Sequence, residues 1–145
     1  MASQLRVDKI LPVDGAPSGG GGGIIQVQMG TFTGKFNTAS ATMVDIGLSV
    51  SITPKFSTSK ILVNVSLGSL TNSGRLKRAM MNIVRDSTNV LIGDATTGTE
   101  CTACVAPRAA DDDYAQIPVS FMVLDSPATT SATTYKVQVS RGSDT

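Results

Sequence analysis

Between Lys60 and Ser69 the chain alternates apolar and polar side chains with a period of two. Ile61, Val63, Val65 and Leu67 fall on one face and Leu62, Asn64, Ser66 and Gly68 on the other. Only an extended strand puts successive side chains on opposite sides, so this pattern predicts a strand with one buried face. The same period recurs along the chain. Leu48, Val50 and Ile52 share a face within Thr42 to Thr53, a segment broken by Asp45-Ile46-Gly47 and stopped by Pro54. Arg78 to Arg85 places Met81 and Ile83 opposite Met80, Asn82 and Val84. Val119, Phe121 and Val123 align within Gln116 to Leu124, and Tyr135, Val137 and Val139 within Thr133 to Ser140. Ile24 to Met29 and Val90-Leu91-Ile92 add two shorter β-branched runs. No window repeats apolar residues at i, i+3, i+4 and i+7 over three turns, and the abundant Thr, Val, Ser and Gly are poor helix formers.

Short strands about ten residues apart, divided by Gly, Pro, Asn and Asp turns, predict an all-β fold. The expectation is an antiparallel two-sheet β-sandwich, jelly-roll-like, with an extended N-terminal arm. Its core is aliphatic, because aromatic residues make up only 4% of the chain. The 145 residues suit one compact domain plus a short tail. Lys60, Arg78, Arg85 and Lys136 are expected to guard edge strands against unwanted pairing. Residues 94–115 form the longest stretch without a strand signal and read as a polar loop.

The first 23 residues differ in kind. Leu5, Arg6, Val7, Asp8, Lys9 and Ile10 alternate like a strand with one adhesive edge, but six residues cannot form a sheet alone. Pro12, Gly15 and Pro17 punctuate the next stretch, and Gly19, Gly20, Gly21, Gly22 and Gly23 form an unbroken run. A glycine run has high backbone entropy and nothing to pack, so it reads as a hinge. Residues 1–23 are therefore an attachment arm with its linker, and residues 24–145 the sandwich domain. An arm of this kind suits strand addition to a partner's sheet edge, and several arms on one oligomer would bind with avidity.

Composition narrows the chemistry. The chain has no His and no Trp. Without His the usual base near neutral pH is missing, neither a Ser-His-Asp nor a Cys-His constellation can be built from this chain alone, and the commonest zinc sites lose their nitrogen ligand. A formal net charge of +1 provides no global field toward nucleic acid or an anionic membrane. No apolar run approaches the roughly 20 residues that span a bilayer, and the N-terminus lacks the apolar stretch of a signal peptide.

The remaining motifs favour bland readings. The glycine run leads into Ile24 and Ile25 rather than into the Gly-Lys-Ser/Thr of a phosphate loop, and Gly30, Gly34, Lys35 and Phe36 match a Walker motif in neither spacing nor final residue. Cys101 and Cys104 form a CxxC, read as two reduced loop cysteines; the alternatives are a disulfide, or a metal site shared between chains, for which this chain has no further Cys and no His. Asp111, Asp112 and Asp113 read as a solvated loop tip rather than a calcium site. With Glu100 and Asp94 they supply the carboxylates for a glycosidase pair, but no surrounding motif supports one. Arg75, Lys77 and Arg78 form a basic patch without the aromatic stacking residues of a nucleic-acid reader. No catalytic residue, metal or cofactor is assigned.

Several segments together resemble tail-fibre-like and other virion proteins of marine phages, cyanophages in particular. They are Leu5 to Ile10 with Pro12-Val13-Asp14-Gly15 and the glycine run into Ile24-Ile25-Gln26-Val27, then Asp45 to Pro54, Ser59 to Val63, and Leu124 to Val139. These stretches are spread along the chain from Leu5 to Val139 and carry structural rather than catalytic motifs. The resemblance implies a virion structural protein assembled in the host cytoplasm and oligomeric, as a trimer about a fibre axis. It implies an N-terminal arm that docks on other virion proteins. Such proteins continue past the last strand, whereas this chain stops at Ser140-Arg141-Gly142-Ser143-Asp144-Thr145. The expectation is a fragment; the alternative is a sheet completed by a neighbouring chain. The functional expectation is a non-enzymatic tail-fibre-like or appendage subunit, with no nucleic-acid partner and no membrane insertion. The alternatives are a receptor-binding knob that touches the host surface through residues 94–115, and a capsid decoration protein.

Overall fold

The computed structural model describes residues 24–72, 79–91, 103–105 and 115–141. Among these residues there is no helix. Seven strands form in chain order: β1 (Val44–Ile52), β2 (Ile61–Asn72), β3 (Ala79–Arg85), β4 (Thr88–Asn89), β5 (Ala103–Val105), β6 (Ala115–Asp125) and β7 (Thr133–Arg141). They make two antiparallel sheets, one of five strands and one of two. In the larger sheet β7 lies between β1 and β3. The far edge of β3 is shared by β5, opposite Ala79 to Met81, and by β4, opposite Val84 and Arg85. The smaller sheet is a long ribbon of β2 and β6.

The inward faces are those the alternation predicts. Ile46, Met81, Ile83, Tyr135, Val137 and Val139 from the large sheet meet Val65 and Val119 from the ribbon, all buried. Phe121, Val63, Leu67 and Val123 pack around them, partly buried. β3 is buried on both faces, since Asn82 and Val84 are as enclosed as Met81 and Ile83. Alternation alone does not reveal which strands are covered on both faces.

Two irregularities shape the sheets. Opposite Val137, β1 carries three residues, Ile46, Gly47 and Leu48. This surplus of two preserves the alternation, so Ile46 and Leu48 both stay on the core side. Gly47 takes φ 89°, open to glycine and strained for other residues. In the ribbon, Gly68 and Ser69 of β2 oppose Pro118 of β6. A proline has no N–H to give a ladder, and a bulge is where a strand tolerates one.

Three expectations are corrected. Ile24 to Met29 belongs to no strand: the segment is mostly exposed and pairs in neither sheet. Its β-branched composition favours extension but does not supply a partner. Val90 and Leu91 are not a strand either; the short pairing is at Thr88 and Asn89, and Val90 donates its N–H to the Ile83 carbonyl at 2.9 Å. The region 94–115 is not wholly loop, because residues 103–105 extend the large sheet as β5.

Candidate functional site

The most organised polar cluster joins the two sheets. Arg85 at the end of β3 donates from Nη1 to both carboxylate oxygens of Asp125 on β6, at 2.7 and 2.6 Å. Tyr135 on β7 donates its hydroxyl to Asp125 Oδ2 at 2.6 Å. Burial pushes the Asp125 carboxyl upward, but the hydrogen bonds from Tyr135 and Arg85 outweigh it and hold the group below the ordinary carboxylate range. Burial, then the bond to Asp125, raises the Tyr135 hydroxyl above its usual value. The hydrogen bond to Asp125 likewise raises Arg85. All three groups thus keep one charge state around neutrality. The cluster is a clamp between sheets, with its hydrogen bonds directed at its own members. Arg85 is therefore not an edge guard, since β3 is paired on both sides.

Lys136 is likewise interior to its sheet. It donates to Asp45 Oδ2 at 2.8 Å, while Gln138 donates to Asp45 Oδ1 at 2.7 Å, tying β7 to β1 on the outer face. The Lys136 and then the Gln138 hydrogen bond lower the Asp45 carboxyl. Lys60 donates to Ser126 Oγ at 2.6 Å, just before β2 begins.

Two surface features have no such internal use. The outward face of the ribbon carries Leu62 opposite Leu124, and Met122 opposite Asn64. These three apolar side chains are 60%, 63% and 66% exposed. Ile24, Val27 and Met29 in the segment before β1 are exposed further still. The second feature is an open groove of about 1510 Å³ between that segment and β2. Residues 28–39 form one wall and residues 63–70 of β2 the other, above a floor of Ile46, Leu48, Val50, Val137 and Val139.

The arm (Leu5, Arg6, Val7, Asp8, Lys9, Ile10) and the hinge (Gly19 to Gly23) lie outside the described residues, as do Asp94, Glu100, Cys101, Asp111 to Asp113, and Arg75, Lys77 and Arg78. Cys104 sits in β5 opposite Met80. Gly30 lies against the Ser49 carbonyl of β1, and Phe32 stacks close to Gly34 and Gly47. Among the described residues no three His, Cys, Asp or Glu side chains converge as a metal site would require.

No sequence pattern signals the clamp, because its members are 40 and 10 residues apart along the chain. The apolar row has a visible signal: Leu62, Met122 and Leu124 interrupt the polar face of otherwise alternating strands. Comparison with known protein families, curated proteins and solved structures finds no match.

Proposed function

We propose that this chain is a non-enzymatic structural subunit of a bacteriophage particle, a tail-fibre-like or appendage protein that self-associates and is attached through residues 5–10. The observation that carries this reading is the apolar row Leu62, Met122 and Leu124 on an outward sheet face. Contiguous exposed apolar surface marks contact with other macromolecules. The resemblance of the arm, Asp45 to Pro54 and Leu124 to Val139 to phage virion proteins supplies the kind of assembly. The absence of His from the sequence, and a polar cluster whose hydrogen bonds close on itself, favour scaffolding over turnover.

Deletion of residues 1–23 tests the reading. The truncated protein is expected to fold but to be missing from particles made in infected cells, as judged by mass spectrometry of purified virions. Normal incorporation of the truncated chain would defeat the attachment role. Copy number from the same measurement separates an appendage, present in few copies, from a decoration protein present in scores to hundreds.

A further inference from the structure

The two outer faces of the sandwich differ in charge. On the ribbon the outward positions are Leu62, Asn64, Ser66 and Gly68 of β2 and Pro118, Ser120, Met122 and Leu124 of β6, all of them exposed. None of the eight is charged. The outer face of the large sheet instead holds the ion pair of Lys136 with Asp45. A face without charge has nothing to pair with a phosphate, a lipid headgroup or a charged peptide. It can meet its own copy without setting like charges against each other, which a two-fold contact demands of a self-complementary patch.

The order of side chains along the ribbon adds a direction. Across the two strands Leu62 lies opposite Leu124, Asn64 opposite Met122, and Ser66 opposite Ser120. The apolar residues thus sit at one end, and small hydroxyl residues follow. A two-fold axis parallel to the strands exchanges β2 with β6 and keeps each height. Leu62 then faces Leu124 of the second copy, Asn64 faces Met122, and Ser66 faces Ser120. An axis across the strands, placed through the apolar end, would overlap that end alone. It would also turn one copy upside down, which does not suit two arms docking on one particle.

We propose that the outer face of the ribbon docks on the same face of a second copy, about a two-fold axis parallel to its strands. The layers then run five strands, two, two and five. The proposal rests on the reading of the apolar row as a self-association surface, and adds the face it meets and the direction of the pair. Facing sheets pack about 10 Å apart with their strands within about 30°. The strip over residues 61–70 is about 30 Å long and 10 Å wide, so the stack covers roughly 600 Å² over both copies, about half of what a lasting interface buries. The contact is therefore weak between free subunits and holds where further contacts keep the copies close.

Magnetic resonance of isotope-labelled methionine methyls in the full-length protein tests the proposal. Met122 and Met29 are both exposed and report on different surfaces. Broadening by a soluble paramagnetic agent is followed as protein concentration rises. The Met122 broadening should fall about twofold once half the chains are paired, in proportion to the paired fraction, with Met29 unchanged. In a mixture of labelled and unlabelled protein, the Met122 methyl should show contacts between copies to leucine methyls and to the Asn64 side-chain amide. Constant Met122 broadening up to millimolar concentration would overturn the docking surface. Contacts to Ile24 and Ile25 would overturn the stacked ribbons and give the row to that segment of a second copy. Leucine contacts without Asn64 would overturn the direction of the axis. Each of these outcomes leaves attachment to a particle to be decided separately by the deletion of residues 1–23.

Discussion

At the scale of single residues, the Arg85–Asp125–Tyr135 cluster sets how the fold responds to acid. Asp125 is held below the ordinary carboxylate value in the folded chain. A depressed carboxyl contributes stability that is fully present above its unfolded pKa, near 3.9, and is lost as pH falls through the lower folded value. The link between the sheets should therefore weaken below about pH 4 and be intact at neutrality. Asp125→Asn removes the charge but keeps the shape. Near neutral pH it should cost about 1.5–3 kcal/mol, the range for hydrogen bonds to charged groups, because the pair is part-buried and the Arg85 side chain keeps 20% of its surface in water. Urea unfolding from pH 7 to pH 2.5 checks both parts. The variant should begin less stable and lose less as pH falls. Parallel curves would mean that Asp125 does not govern the acid response.

At the scale of elements, the two bulges predict opposite outcomes for the same glycine-to-alanine change. Gly47, at φ 89°, holds the surplus residues of β1 in a conformation other residues rarely take. An added Cβ would also lie 3.2 Å from the Phe32 ring, but Phe32 is itself on the surface and can yield. The backbone term decides, and Gly47→Ala should cost about 1–2 kcal/mol. Gly68 sits in the other bulge with nothing within 4 Å of an added Cβ, so Gly68→Ala should stay within about 0.5 kcal/mol of the native protein. Thermal melting of the pair should show the first several degrees lower and the second almost unmoved. Equal shifts would mean that the β1 irregularity is not what Gly47 sustains. The elements also mark how far the sequence could be read. The inward faces of β1, β2, β3, β6 and β7 follow from period-two alternation, because that signal is local. Where Arg85 finds Asp125, and whether Ile24 to Met29 has a neighbour to pair with, depends on which strands meet. The alternation contains nothing about that. Arg85 reads as an edge guard only because a charge in a strand has the same local signature whether its partner is water or a carboxylate on the facing sheet.

At the scale of the molecule, the question is whether the outward apolar row can hold two copies together. Burying a Leu or Met side chain fully stabilises by about 1.5–3 kcal/mol, and these three are already more than a third covered, so each offers roughly 1–2 kcal/mol more. Six such side chains across a two-fold contact then provide about 6–12 kcal/mol, against an association cost of about 4–15 kcal/mol. The balance is marginal. A contact built on this row should be weak, and loss of two of its members should abolish it. Leu62→Lys/Leu124→Glu is the informative variant, because the two positions face each other across β2 and β6 and the new charges can pair without disturbing the register. Light scattering over a concentration series should show the native chain gaining mass into the tens or hundreds of micromolar, while the variant remains a monomer with an unchanged circular dichroism spectrum. A native chain that stays monomeric throughout, or a variant that associates as well as the native chain, would show that the row is not the contact and would move the search for one to the exposed Ile24, Val27 and Met29.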